Sequence, residues 1–248
     1  VDSRCSPFKA GVSGYLSALM WLVTTANAVA QQSGDYTYAL DAGGHASITR
    51  FNKEYTGHVS IPGTLGGHPV TGIADAAFSG CAGLTAVTIP NGVTCIGEGA
   101  FICCTGLTGV TIPDSVTNIE KSAFTTCASL ISVTIPGGVT RIADAVFSGC
   151  TALTTVAIPG AVAEIGDGAF SMCKSLPRVT LPGSMRAIGN SAFEGCSGLG
   201  RIVIPDSVTS IGESAFYNCD LLKSVTIGRG VNRIGIGAFR HCGSLAAI

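Results

Sequence analysis

Val87-Thr88-Ile89 alternates apolar, polar, apolar, and all three residues are β-branched. This predicts a short strand with one buried face. Pro90 follows at once and predicts the strand's end, since proline has no N–H to give to a ladder. The pattern returns at residues 110–113, 133–136, 156–159, 179–182 and 202–205, and once more at Val225-Thr226-Ile227, where Gly228 replaces the proline. Val93 and Ile96 carry the apolar set around a turn. A glycine-rich corner such as Gly97-Glu98-Gly99 then leads into Ala100-Phe101, read as one short helical or 3₁₀ turn. Cys104 and Leu107 close the unit.

The unit repeats without a break. Phe78, Phe101, Phe124, Phe147, Phe170, Phe193, Phe216 and Phe239 are each 23 residues apart, with a Cys three residues after each and a Leu three further on. A fixed period of this size marks a solenoid. One coil cannot bury its own apolar edge, but stacked coils shelter one another. The expected fold is an α/β-type repeat solenoid: a right-handed superhelix of parallel short strands with short helical or 3₁₀ turns. About eight coils at about 4.8 Å each make a stack roughly 35–40 Å long. The Phe, Cys and Leu columns are its core.

Both ends depart from the period. In residues 31–58, Tyr36, Tyr38 and Leu40 alternate with polar neighbours, Asp41-Ala42-Gly43-Gly44 is turn chemistry, and Ala46, Ile48 and Arg50 alternate again. This predicts an N-terminal β-hairpin cap ahead of repeats spanning 59–248. Five extra residues between Pro62 and Val70 predict a bulging loop over 63–69. Residues 1–30 have the order of a signal peptide: Arg4 and Lys9, an uncharged run over 10–23, then small residues, with cleavage after Ala30 or Ala28. A short buried helix is the competing reading. The run is too short for a membrane span, and no other segment is long enough. The chain stops as another strand begins, so the last coil reads as truncated.

Composition narrows the function. Hydrophobic residues make up 46% and charged residues 12%, about half the usual charge. A net charge of -1 argues against electrostatic binding of nucleic acid or anionic membrane, and one Trp with five Tyr gives no stacking platform. Eight of the 11 Cys lie in one column, where parallel side-chain vectors disfavour bridging, and they read as small buried apolar groups. Cys5, Cys95 and Cys103 lie outside the column, and Cys103 is read as exposed. His45, His58, His68 and His241 have no partners at zinc-ligand spacing, so no metal site is expected. No nucleophile elbow or phosphate-cradling loop appears, so neither catalytic residues nor cofactors are expected. Glu98, Asp144, Asp167 and Glu213 share a convex column; a Ca²⁺ ladder is one reading, but acidic residues opening a short helical turn are the simpler one.

The outward strand face bears more directly on binding. Its central column reads Thr88, Thr111, Thr134, Ala157, Thr180, Val203 and Thr226; the column two residues earlier reads Ala86, Gly109, Ser132, Thr155, Arg178, Arg201 and Ser224. Threonine is a good exposed strand residue in any case. The adjacent Arg178 and Arg201 break the neutral pattern, and with Thr155 and Thr180 they are the candidate ligand-binding residues.

The unit Leu-x-x-Val-x-Ile-Pro-x-x-Val-x-x-Ile-Gly-x-x-Ala-Phe-x-x-Cys resembles the BspA-like, or Treponema pallidum-type, class of leucine-rich repeats over residues 59–248. It lacks the Asn ladder that follows the strand in common leucine-rich repeats. Members of this class are typically secreted or at the cell surface, and several are adhesins. The resemblance thus implies a secreted or cell-surface, adhesin-like, non-enzymatic module. Such a module would bind a host, matrix or cell-surface protein or glycan non-covalently through a concave strand face. The alternatives are a structural surface-layer or fibre component built by end-to-end self-association, and the recognition arm of a larger enzyme.

Overall fold

A computed structural model of the chain describes residues 30–246; the leader read over 1–30 lies, but for Ala30, outside them, as does the strand start at Ile248. At the N-terminus, β1 (Gln31–Ser33) pairs antiparallel with β2 (Tyr36–Leu40), and β2 with β3 (Ala46–Phe51). The turn between β2 and β3 is held by Asp41, whose Oδ1 accepts the N–H groups of Gly43 and His45 at 2.8 and 2.9 Å. Alternation puts Tyr38, Ala46 and Ile48 inside. The chain then runs through β4 (Gly57–Ser60) and β5 (Thr64–Leu65) to β6 (His68–Ile73), which pairs in parallel with β3 and joins this antiparallel layer to the stack. The inserted residues form a tight hairpin of β5 with β6 rather than an open loop. Gly66 and Gly67 turn it with φ of +58° and +86°, the left-handed pair that a two-residue hairpin needs.

Each coil has three sides. On the first, β4, β7 (Leu84–Thr88) and the strands Gly109–Thr111, Ser132–Thr134 and Thr155–Ala157 stack in parallel, and Arg201–Ile204 with Ser224–Ile227 form a separate parallel pair. The second side was not foreseen as a ladder. Two-residue strands such as Cys95–Ile96, Glu164–Ile165 and Ala187–Ile188 pair in parallel there, with one interruption between Asn118–Ile119 and Arg141–Ile142. In the sequence Val93 and Ile96 show only as apolar turn residues, because two residues are too few to show a period.

The third side corrects the expectation of helical or 3₁₀ turns, as no helix occurs among the described residues. Two residues in every coil have positive φ: the column from Ala76 to Gly237 (51–67°) and the column from Gly80 to His241 (59–73°). In a helix every N–H points the same way along the axis. Here the left-handed residues reverse alternate peptides. The N–H groups of Ala76, Phe78 and Gly80 reach the next coil at the carbonyls of Glu98, Ala100 and Ile102, while those of Ala77, Ser79 and Cys81 close tight turns within their own coil. The arrangement recurs through Ser214, Phe216 and Asn218. Several of these left-handed residues are not glycine, including Cys103, Thr126 and Met172, so composition gave no hint of them.

The predicted core columns are buried throughout, opening only in the last coil, where Phe239, Cys242 and Leu245 are half-buried. Neighbouring rings from Phe78 to Phe239 stack with centroids 4.8–5.6 Å apart. Phe51 extends the series, 4.8 Å from Phe78. Its 27-residue offset hid it from a search at the repeat period.

Candidate ligand-binding face

The first side carries the candidate residues, and proline interrupts it. Below each strand one N–H per coil reaches back to the preceding coil: Thr108 to Thr85 O (2.8 Å), Ile131 to Thr108 O (3.1 Å) and Thr154 to Ile131 O (2.9 Å). The next residue in that column is Pro177, which has no N–H. The Thr154 carbonyl therefore lacks the bond its counterparts receive. No strand pairing joins Thr155–Ala157 to residues 178–181, and those residues meet the next coil through a single bridge, Arg178 to Arg201. Beyond it the ladder resumes, with Gly200 N–H bonded to Pro177 O at 3.0 Å and Lys223 to Gly200 O at 2.9 Å. The sequence shows Pro177 plainly, but its consequence depends on which N–H would have been there.

Just past this seam lies a shallow groove of about 510 Å³. Arg178, Thr180 and Gly183 from one coil line it, with Arg201, Val203 and Pro205 from the next, over Val179 and Leu181. Three of the four candidate residues thus come together. Thr155 does not line the groove, because it lies across the seam. Both arginines are exposed, and neither has an acidic partner among the described residues. Like charges on neighbouring strands repel, so this pair is held at a cost by the register of the coils. The hydroxyls of Thr134, Thr155, Thr180 and Thr226 likewise bond to no protein group among the described residues. Val203 is 59% exposed beside them.

The second side looks similar in outline but is committed to holding coils together. A groove of about 630 Å³ there is lined by Glu164, Asp167, Asn190, Glu213 and Arg233, among others. Several of its polar groups are already used. Asp144 Oδ1 accepts the N–H of Asp167 (3.1 Å), Asp167 Oδ1 that of Asn190 (2.7 Å), and Asn190 Oδ1 that of Glu213 (2.8 Å). Asp75 does the same for Glu98 at 2.9 Å. Of the acidic column, Asp144 and Asp167 thus cap the backbone of the next coil, Glu98 and Glu213 receive such caps on their own N–H groups, and none opens a helical turn. Two basic residues on this side are paired, Arg141 with Asp144 and Glu164 and Lys121 with Glu98, whereas Arg233 has no acidic partner among the described residues.

The thiol column does more than fill space. Cys104 Sγ donates to Phe78 O at 3.0 Å, and every later Cys of the column repeats the bond one coil on, to Cys242 with Phe216 O at 3.1 Å. Burial pushes the thiols of Cys104, Cys150 and Cys196 up to about 12, and those of Cys127, Cys173 and Cys219 upward as well. They are protonated donors rather than nucleophiles. Cys103, outside the column, is exposed as expected.

The histidines are dispersed. His45 meets Asp41 at 3.1 Å, His58 meets Thr88 Oγ1 at 3.0 Å, and His68 meets Gly44 O at 2.9 Å. The N–H of His45 and its imidazole help to hold the Asp41 carboxyl below its ordinary range. Burial, with Tyr55 and Asp35 nearby, pushes the Tyr36 phenol up to about 12. No group of three or more His, Cys, Asp or Glu side chains that could hold a metal occurs among the described residues, and no helix among them is long and apolar enough to cross a membrane.

With this geometry established, comparison with known proteins places the chain. No curated protein matches its sequence. Among solved structures it is similar to a T. pallidum leucine-rich repeat protein, TpLRR, at 28% identity and a TM-score of 0.61, covering 88% of this chain and 91% of that one. The pneumococcal vaccine antigen PcpA has the same fold at 17% identity, with a TM-score of 0.61 over 89% of this chain and 70% of its own. A leucine-rich cell surface protein from Faecalibacterium prausnitzii aligns at 25% identity with a TM-score of 0.48, covering 88% and 94% of the two chains. Residues 51–176 and 140–248 match the BspA type leucine-rich repeat region in six copies. The chain belongs to the BspA-type leucine-rich repeat family.

Proposed function

We propose that this chain is a secreted or cell-surface recognition module, adhesin-like, which binds a host, matrix or cell-surface macromolecule through its strand face without turning it over. The leader would occupy 1–30, the cap 31–58 and the recognition repeats 59–248. One observation carries the reading: the two sides of the solenoid use their polar residues oppositely. On the second side, Asp75, Asp144, Asp167 and Asn190 cap the backbone of the next coil, and Arg141 and Lys121 are ion-paired. On the strand face, the side chains of Arg178, Arg201, Thr155 and Thr180 bond to nothing within the described residues. Polar groups that the fold does not use remain available to a ligand, and a rigid stack presents them without an ordering cost. The shared fold with a vaccine antigen is consistent with surface exposure.

The test is capture of the full chain on an array of extracellular matrix proteins and glycans. Arg178→Glu/Arg201→Glu should lose capture, while Arg141→Glu on the second side should keep it. Equal capture of all three proteins would remove the strand face as the binding surface.

A further inference from the structure

We infer that the groove at Arg178 and Arg201 recognises an acidic protein segment, with paired carboxylates followed by an apolar side chain, in preference to a sulfated glycan. This rests on the strand-face reading and adds the chemistry of the occupant. Two unneutralised guanidiniums on adjacent coils, joined by the Arg178–Arg201 bridge, offer parallel forks that match carboxylates two at a time.

The rest of the groove selects among anions. Apart from Thr180, its other lining is Val203, Pro205 and Gly183 above Val179 and Leu181, a surface suited to an aliphatic side chain, and no aromatic ring is present for a sugar face to stack on. The basic stretch is also short. The neighbours of the pair in its column are Thr155 on one side and Ser224 on the other. A sulfated polysaccharide gains its affinity from many contacts along a basic track, and two arginines make no track. A short acidic motif needs only two.

The experiment measures polarisation of a fluorescein-labelled Gly-Glu-Glu-Leu-Gly peptide with the full chain. The Gln-for-Glu version of the peptide and heparin serve as comparison probes. The acidic peptide should bind at least tenfold tighter than its Gln version, with affinity falling as salt rises. Arg178→Gln/Arg201→Gln should weaken it at least tenfold and Val203→Ser several-fold, with unchanged thermal melts showing that the variants fold. Arg141→Gln should have no effect. Heparin displacing the peptide, or binding more tightly, would overturn the inference in favour of a sulfated ligand. Peptide binding that ignores both arginines would overturn it as well. The array separates this from the broader reading: capture lost in Thr134→Arg but kept in Arg178→Gln/Arg201→Gln leaves the strand face standing and removes only the acidic motif.

Discussion

The coils before and after Pro177 share one 23-residue pattern yet hold their outer face differently. From β4 to Thr155–Ala157 the strands form one ladder, whereas residues 178–181 are joined to their neighbours by a single bridge. Inside, nothing changes across that line. Phe147 and Phe170 stack at 5.5 Å, Phe170 and Phe193 at 5.4 Å, and Glu164–Ile165 stays paired with Ala187–Ile188. The third side continues too, with Phe147 N–H on Ala169 O and Phe170 N–H on Ala192 O, both at 2.8 Å. The second and third sides and the interior hold register where the first side, the strand face, lets go. Register and surface are therefore separable: the core sets where each coil lies, and the strand face can lose hydrogen bonds and carry like charges without losing the stack.

The sharpest way to probe what both regions share is alkaline pH. The core thiols ionise near 9.0 in an unfolded chain but near 12 when buried, as at Cys104, Cys150 and Cys196. The folded state thus keeps protons that the unfolded state has shed. Stability fully present below pH 9 should fall as pH rises towards 12, by about 1.4 kcal/mol per pH unit for each thiol. Urea midpoints that stay level up to about pH 10.5 would contradict the buried thiol ladder.

A smaller effect should separate the regions. Phe101→Ala and Phe170→Ala should each cost about 3–5 kcal/mol. Only Phe170→Ala, beside the seam, should split urea unfolding into two steps, because nearest-neighbour interfaces set cooperativity in a stack. A single transition in both would mean that the seam does not weaken coupling. Next in size is Asp167→Ala. It removes the cap on Asn190, on the side opposite the broken ladder, and should cost about 1–2 kcal/mol by calorimetry. The smallest effect is a gain. Pro177→Thr supplies the missing N–H and should add about 0.5–1.5 kcal/mol; a loss of stability would show that the proline is not what opens the seam.

Much of this was legible in the residues. The Phe, Cys and Leu columns stood out because a period repeated eight times is unmistakable, and Arg178 and Arg201 stood out because they interrupt a neutral face. The second ladder was hidden because its strands are two residues long. The left-handed columns were hidden because Ala, Ser, Cys, Thr and Met occupy them alongside glycine. Thr155 was grouped with the arginines by column alone, and a column does not reveal a missing hydrogen bond between neighbours.

By itself the sequence determined the period, the core and the outward face, because burial follows side-chain chemistry and that chemistry recurs at each turn. Only the tertiary structure decided which N–H meets which carbonyl. That choice made tight left-handed turns where a helix was expected, turned Asp167 and its neighbours into backbone caps, and placed a gap at Pro177. Backbone hydrogen bonds between the regular coils join residues 22 to 24 positions apart, so their presence depends on how two backbones face each other, which no single stretch of chain encodes.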